Sequence, residues 1–401
     1  MPDLKKALLV TTVSGFVPQF EMNNVRLLQS MGYEVHYAAN YHTPSYGNDN
    51  HRLDETGIIR HQIDFVRSPF KTANLKVYQQ LCSLMKSEHF DLVHCHTPMG
   101  GVMARLAAHT TGTGPVIYTA HGFHFFKGAA LVNWLCYYPM ERFLSHFTDQ
   151  QICINQEDFA CASKQFHARY TDYIPGAGFD FNRLPHMTAE DIQLKKQALG
   201  LPLNCRILLS SGEFIKRKNH ETALWAIAKL VDEFPDIHYV ICGHGQLHDY
   251  LQQLVKDLGL KNHVSFPGYR QDILEIYPCA DIFIFPSFQE GLPMALLEAM
   301  ASGLPVVCSD IRGSRDLMEP INIASQESAS LPVGLQPCKG GYMIQKADDA
   351  DAYAEALALI LRKPESMNSM KQANVLRAQQ FSMEQVSARM EKIYQRISHQ
   401  E

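Results

Sequence analysis

Three absences narrow what this chain can be. Positive charge is not in excess: 36 Lys plus Arg stand against 41 Asp plus Glu, a net charge of −5, so no global basic field for nucleic acid exists. No apolar run approaches the ~20 residues of a membrane-spanning helix; the longest, Ala129 to Pro139, is far shorter. The ten cysteines stand singly, with no Cys-x-x-Cys pair, which argues against both a disulfide framework and a zinc knuckle. Such usage predicts a reducing cytoplasm. Two lysines before Ala7 to Val13 imitate a signal peptide, but no small-residue cleavage site follows, and a buried first strand is expected instead.

What is present is a globular composition, 46% hydrophobic and 19% charged, over 401 residues. That length calls for two domains. Short apolar runs at Ala7–Val13, Glu34–Ala39, Leu92–His96, Val116–Thr119 and Gln151–Ile154 predict strands. Longer amphipathic stretches at Phe20–Met31, Asn74–Lys86, Met99–His109 and Leu131–His146 predict helices between them. A Pro- and Gly-containing stretch, Tyr173 to Asp180, reads as a linker. A second series follows, with strands at Arg206–Ser211, Ile237–Cys242, Val264–Phe266, Ile282–Phe285 and Val306–Cys308. Its helices are expected at Asn219–Phe234, Gln246–Leu258, Pro293–Ser302 and Asp349–Leu361. The fold class is therefore α/β, with two tandem, doubly wound, Rossmann-like domains. Met383, Val386, Met390, Ile393 and Ile397 mark one face of a final packing helix.

Open parallel sheets bind ligands beyond the carboxyl ends of their strands, so the residues after each strand are the candidates. After Ile282–Phe285 comes a loop with Glu290 and Gly291, then a helix opening at Pro293 and carrying Glu298. A helix N-terminus attracts anions, and the two acids could accept hydroxyl hydrogen bonds from a sugar and a ribose. Equally, Glu290 could cap the helix and Glu298 could be solvated. Eight helical steps would span ~12 Å, longer than the ~5–9.5 Å of glycosidase carboxylates, which disfavours a hydrolytic pair. After Arg206–Ser211, Lys216, Arg217 and Lys218 precede a helix, where a diphosphate could meet both cations and dipole. Gly243-His244-Gly245 would let backbone approach a ligand.

In the first half, Val13-Ser14-Gly15-Phe16 is not the Gly-x-Gly-x-x-Gly fingerprint, and Asn40 replaces the ribose-binding acid of a dinucleotide site. A nicotinamide dehydrogenase is thereby disfavoured. His94, Cys95 and His96 end one strand, and His121 and His124 follow the next. Without a third ligand at a diagnostic spacing, hydrogen-bonding histidines are expected rather than zinc. Asp349-Ala350-Asp351 reads as a helix cap. The aromatic stretch 125–147 reads either as a packed helix or as an interfacial surface.

Together, Glu290 to Glu298 around Gly291-Leu292-Pro293, Lys218-Asn219 after Gly212, Gly243-x-Gly245, and Phe266-Pro267-Gly268-Tyr269 before Gln271-Asp272-Ile273 resemble family 4 of the retaining glycosyltransferases. Thr119 to Gly128, Asn133-Trp134-Leu135 and Glu141-Arg142 look like its bacterial capsule and exopolysaccharide enzymes. The resemblance implies a GT-B fold: an acceptor domain, 1–180, completed by a returning helix, 381–401, and a nucleotide-sugar domain, 181–380. It implies a UDP-activated hexose or N-acetylhexosamine and a polyprenyl-diphosphate-linked acceptor, with no nucleic acid, no cofactor and no metal. The place implied is the cytoplasm, with peripheral contact at the inner face of the membrane. By position, Glu298 would bind the ribose, Lys218 the diphosphate, and Glu290 with the N–H groups of Gly291 and Leu292 the donor sugar. Gly15 would approach the diphosphate, His121 would sit beside the sugar, and backbone near Tyr269 and Arg270 would meet the base. Glu213 replaces an arginine common in the family; either Lys216 or Arg217 supplies the charge or the subfamily does without it. A nucleotide-sugar epimerase is the alternative activity.

Overall fold

The computed structural model describes residues 4–45, 50–66, 68, 71–321 and 332–398. The chain divides into two compact units, Met1–Gly178 with Met383–Glu401, and Phe179–Ser382. The first contains β1 (Lys5–Val13), β2 (Tyr33–Asn40), β3 (Ile59–Gln62), β4 (Leu92–His96), β5 (Val116–Ala120), β6 (Gln150–Cys153) and β7 (Tyr170–Tyr173). They pair in the order β3-β2-β1-β4-β5-β6-β7, all parallel. The second unit contains β8 (Arg206–Ser211), β9 (Ile237–Cys242), β10 (Val264–Gly268), β11 (Ile282–Phe285), β12 (Val306–Ser309), β13 (Leu335–Cys338) and β14 (Gly341–Ile344). Its order is β10-β9-β8-β11-β12-β14-β13, parallel except where β13 meets β14. Strand order reverses at β1/β4 and again at β8/β11, the two places where such sheets open a crevice.

The central strands are apolar throughout because helices cover both faces of each sheet. Leu8, Val10, Val93 and Cys95 face one cluster; Ala7, Leu9, Leu92 and Ile117 face the other. Edge strands β3, β7 and β13 escape sequence reading for the same reason in reverse. Ile59–Gln62 is mostly exposed, and Pro337 sits on the outer strand β13, where a missing N–H costs no ladder bond. Helix Pro364–Gln379 also lacks an apolar stripe, since its fully buried side is Asn374 and Ala378. Asn374 donates to the carbonyls of Leu304 and Gly340 at 2.7 and 2.9 Å, which replaces apolar packing with two hydrogen bonds.

The last helix, Met383–Ser398, belongs to the first unit. Val386, Met390, Ile393 and Ile397 join the core cluster containing Leu9 and Ile117, while Met383 is only partly buried. The Tyr394 hydroxyl reaches His94 Nδ1 at 2.9 Å, and Tyr33 meets Ser398 at 2.7 Å. In the same unit, helix Leu131–Leu144 is anchored by a buried pair: Arg105 donates to Glu141 at 2.7 Å and lies over the Tyr118 ring. Glu141 therefore holds the helix to the sheet.

The packing of the last helix gives a direct expectation. Ile393→Ala deletes buried methyl and methylene groups and costs about 2–5 kcal/mol of stability in the first unit. Urea denaturation followed by far-ultraviolet circular dichroism would show an earlier transition; an unchanged one would mean that the apolar face contributes nothing.

Candidate functional site

In the second unit the site is built where β8 and β11 part. The chain leaves β8 through Gly212, makes a single 3-10 turn over Lys216–Lys218, and enters helix His220–Leu230 through Asn219. Asn219 adopts the left-handed conformation, φ 54°, which asparagine tolerates better than most residues. Its side-chain amide donates to the carbonyls of Pro286 and Ala347 at 2.9 and 2.7 Å, tying the β8 loop to the segment after β11. The turn thereby delivers Lys218 and Arg217 to one carboxylate: Lys218 Nζ and Arg217 Nη1 lie 2.8 and 2.7 Å from Glu290 Oε1. Burial would raise the Glu290 carboxyl, but the two cations outweigh it and hold it below the ordinary range. Glu290 is thus not a helix cap. Arg217, and not Lys216, joins Lys218 at this carboxylate, and Glu213 stays exposed.

Helix Met294–Ala301 starts one residue later than expected, with Pro293 at its N-cap. Among the described residues the N–H groups of Gly291 and Leu292 have no hydrogen-bond partner, and Arg312 Nε donates to the Glu290 carbonyl at 3.0 Å. On the helix, Glu298 turns inward. Tyr277 donates to its carboxylate at 3.2 Å and also reaches Ser211, at the end of β8, at 3.1 Å. Burial raises the Glu298 carboxyl, against the Tyr277 hydrogen bond and nearby Arg183.

The glycines permit close contacts between loops of the protein itself. A Cβ on Gly243 would lie 1.9 Å from the Gly212 carbonyl oxygen, and one on Gly245 would lie 2.7 Å from Phe214 backbone. Their missing side chains let two loops of the protein touch. Gly243 N–H then donates to Gly268 at 2.9 Å, aligning the turn that carries Tyr269 and Arg270. Tyr269 is exposed, edge-on to His244, while the Arg270 guanidinium is taken by Asp272. Asp349 caps its helix through the Ala352 N–H, as expected.

In the first unit Gly15 is likewise packed against protein: its N–H donates to Pro44 at 2.8 Å, and a Cβ would lie 2.0 Å from the Ser45 carbonyl oxygen. The histidine–cysteine group is split by strand alternation. Cys95 points to the opposite face, toward the Ile117 carbonyl; His94 bonds Tyr394 and Thr119; and His124 stacks on Tyr137. His96 and His121 do meet. In the register His96 pairs with Thr119, and His121, two residues on, returns to the same side. Their ring nitrogens are 3.1 Å apart, and burial pushes His121 down to about 4. Sequence reading missed their third neighbour, Glu21. A π turn over Val17–Glu21, a distortion frequent at functional sites, tucks this acid inward, and burial pushes it up to about 7. The signal was a lone acid on a buried stretch directly after β1.

Because Glu298 is raised in the fold, its ionised form is penalised above that value, and the penalty vanishes as pH falls toward 4.5. Glu298→Gln is therefore expected to raise the melting temperature of the ligand-free protein near neutral pH, with the gain shrinking in acid. A melting scan from pH 4 to 8 checks it; equal or lower stability at neutral pH would contradict it.

With this geometry in place, residues 5–155 match the family described as Glycosyl transferase 4-like, and residues 191–376 match Glycosyl transferases group 1. EpsD of Bacillus subtilis (strain 168) is 35% identical over 395 residues, 97% of this chain and 96% of that one. The UDP-Gal:alpha-D-GlcNAc-diphosphoundecaprenol alpha-1,3-galactosyltransferase of Escherichia coli is 32% identical over 252 residues, 61% of this chain and 64% of that one. In fold, the crystal structure of Anabaena Alr3699/HepE in complex with UDP-glucose superposes with a TM-score of 0.76 at 17% identity, covering 98% and 99% of the two chains. This chain therefore belongs to family 4 of the glycosyltransferases, with the two Rossmann-like domains of the GT-B fold.

Proposed function

We propose that the protein transfers a hexose or N-acetylhexosamine from a UDP-sugar to a polyprenyl-diphosphate-linked acceptor, with retention of anomeric configuration, in exopolysaccharide or capsule assembly. The observation that carries the reading is the convergence of Lys218 and Arg217 on Glu290 at the β8/β11 reversal. A diphosphate placed there would draw on two cations already held in place, Lys218 largely buried and Arg217 partly exposed. The Escherichia coli relative, a UDP-Gal-dependent transferase onto a diphosphoundecaprenol-linked sugar, supports the donor and acceptor classes.

In this mechanism Glu298 accepts the ribose hydroxyls, and Glu290 orients the donor sugar together with the Gly291 and Leu292 N–H groups. Lys218 takes the charge that develops on the departing diphosphate, usually the largest catalytic effect in such sites. The bond from the anomeric carbon to UDP breaks, the acceptor oxygen bonds on the same face, and the departing phosphate oxygen takes the acceptor's proton. No protein nucleophile and no metal at the diphosphate are needed for that balance. Gly243, Gly245, Tyr269 and Arg270 complete the proposed donor surroundings within the second unit.

Membrane contact is part of the proposal. No described helix is long and apolar enough to cross a membrane. Helix Leu131–Leu144 nevertheless exposes Leu131, Val132, Leu135 and Phe143 beside exposed Arg142, an apolar surface with a cation, suited to an anionic lipid face where a polyprenyl acceptor would lie.

Thermal shift against UDP, GDP, ADP and UDP-sugars tests the donor. UDP at 100 times its dissociation constant stabilises by about 2.7 kcal/mol, and Glu298→Ala is expected to lose that shift; no response to any uridine nucleotide would overturn the assignment. Lys218→Ala is expected to slow transfer by about 10²–10³, whereas donor conversion without acceptor would mark an epimerase. In flotation with anionic liposomes the protein is expected to rise with the vesicles and the triple change Leu131→Ser, Leu135→Ser, Phe143→Ser to stay below. Wild-type protein remaining wholly below would remove the membrane part.

A further inference from the structure

Glu21, His96 and His121 form a triangle of donor atoms that no part of the transfer mechanism uses as a unit. His96 Nδ1 stands 3.1 Å from His121 Nε2, and Glu21 Oε1 stands 3.6 Å from the first and 3.7 Å from the second. Donors bound at about 2.1 Å around a tetrahedral ion lie about 3.4 Å from one another. The triangle therefore has the size of one face of that polyhedron.

Hydrogen bonding explains only one edge. The two carboxylate edges are wider than the ~2.8 Å of a direct charge-assisted bond. The other Glu21 oxygen is already engaged: Asn24 donates to Oε2 at 2.6 Å, which leaves Oε1 toward the histidines. His96 is fully buried, and His121 is 25% exposed at its side chain, which provides an entry path. A cavity of about 20 Å³, bordered by Glu21, Asn24, Thr119 and His121, adjoins the triangle. It has room for one water. Three protein donors with one water-sized opening is the arrangement of an accessible zinc site rather than a closed structural one.

We propose that Glu21, His96 and His121 bind one divalent transition-metal ion, zinc best matching two imidazole nitrogens and one carboxylate oxygen, with water in the fourth position. The ion would lock His121 as the tautomer that carries its proton on Nδ1 and would fix the ring. It is separate from the diphosphate chemistry, and the assignment stands or falls without reference to any sugar.

The full-length protein, stripped by chelator and dialysed, is titrated with Co²⁺ and followed by visible absorption, then challenged with Zn²⁺. One equivalent with tetrahedral ligand-field bands, displaced by zinc, is the expected result. His121→Ala and Glu21→Gln should each weaken binding by more than about 100-fold, beyond the roughly 10–100-fold of an outer-shell change. The stacked pairs His36–His61 and His146–His167 are the competing histidine sites, so His61→Ala and His167→Ala should leave binding unchanged. Should the site variants misfold, ¹⁵N spectra of the wild-type histidines decide: zinc must shift one Nδ1 and one Nε2 in the same two rings. Absent cobalt bands, bands that survive His121→Ala in folded protein, or zinc that leaves every histidine nitrogen unmoved would overturn the proposal in favour of a shared proton between the two rings.

Discussion

The constraint on which this architecture rests is the reversal of strand order within each parallel sheet. Parallel strands need crossover helices on both faces, and where the winding changes direction the two departing loops go to opposite sides. At β8/β11 that leaves the carboxyl ends of two strands without cover, and the loops must satisfy their own polar groups. Asn219 does this by bonding carbonyls of two other segments. Its left-handed backbone in turn sets where Lys218 and Arg217 stand. The chemistry of the second unit follows from a topological gap and one asparagine.

Each acid of interest is buried, yet neighbours give the three different characters. Glu290 has two cations and is held ionised; Glu298, with a tyrosine hydroxyl and the more distant Arg183, is raised; Glu21, beside two neutral rings, is raised to about 7. Buried charge is costly unless paired, so the ion-paired Glu290 is the self-sufficient one. The other two are incompletely compensated as they stand, and the proposals above complete each: a ribose diol for Glu298, a cation for Glu21. The glycines follow a related logic. Gly15, Gly243 and Gly245 are small because protein backbone lies against them, and the close loop contacts they permit are what shape the surroundings of the site.

The apolar central strands were legible because burial on both faces leaves a continuous hydrophobic run, and β4, β8, β9 and β11 begin and end where the pattern does. Lys218 and Glu290 stood out because charged residues after such strands are few, and the structure brings the two together. What escaped reading had its signal removed by tertiary context. Edge strands such as Ile59–Gln62 bury little, helix Pro364–Gln379 packs through an asparagine, and Glu21 hides in a π turn that no periodicity reveals.

By itself the sequence determined two α/β units, the helix that completes the first, and the charged loops of the second, because hydrophobic period and turn chemistry are local properties. Only the tertiary structure decided which charges meet: that Arg217 and not Lys216 joins Lys218, that His94 turns to Tyr394 while His96 turns to His121, and that Glu21 stands beside them. Those choices depend on strand register, on loops separated by tens of residues, and on the desolvation that close packing imposes, none of which is written in any one stretch of the chain.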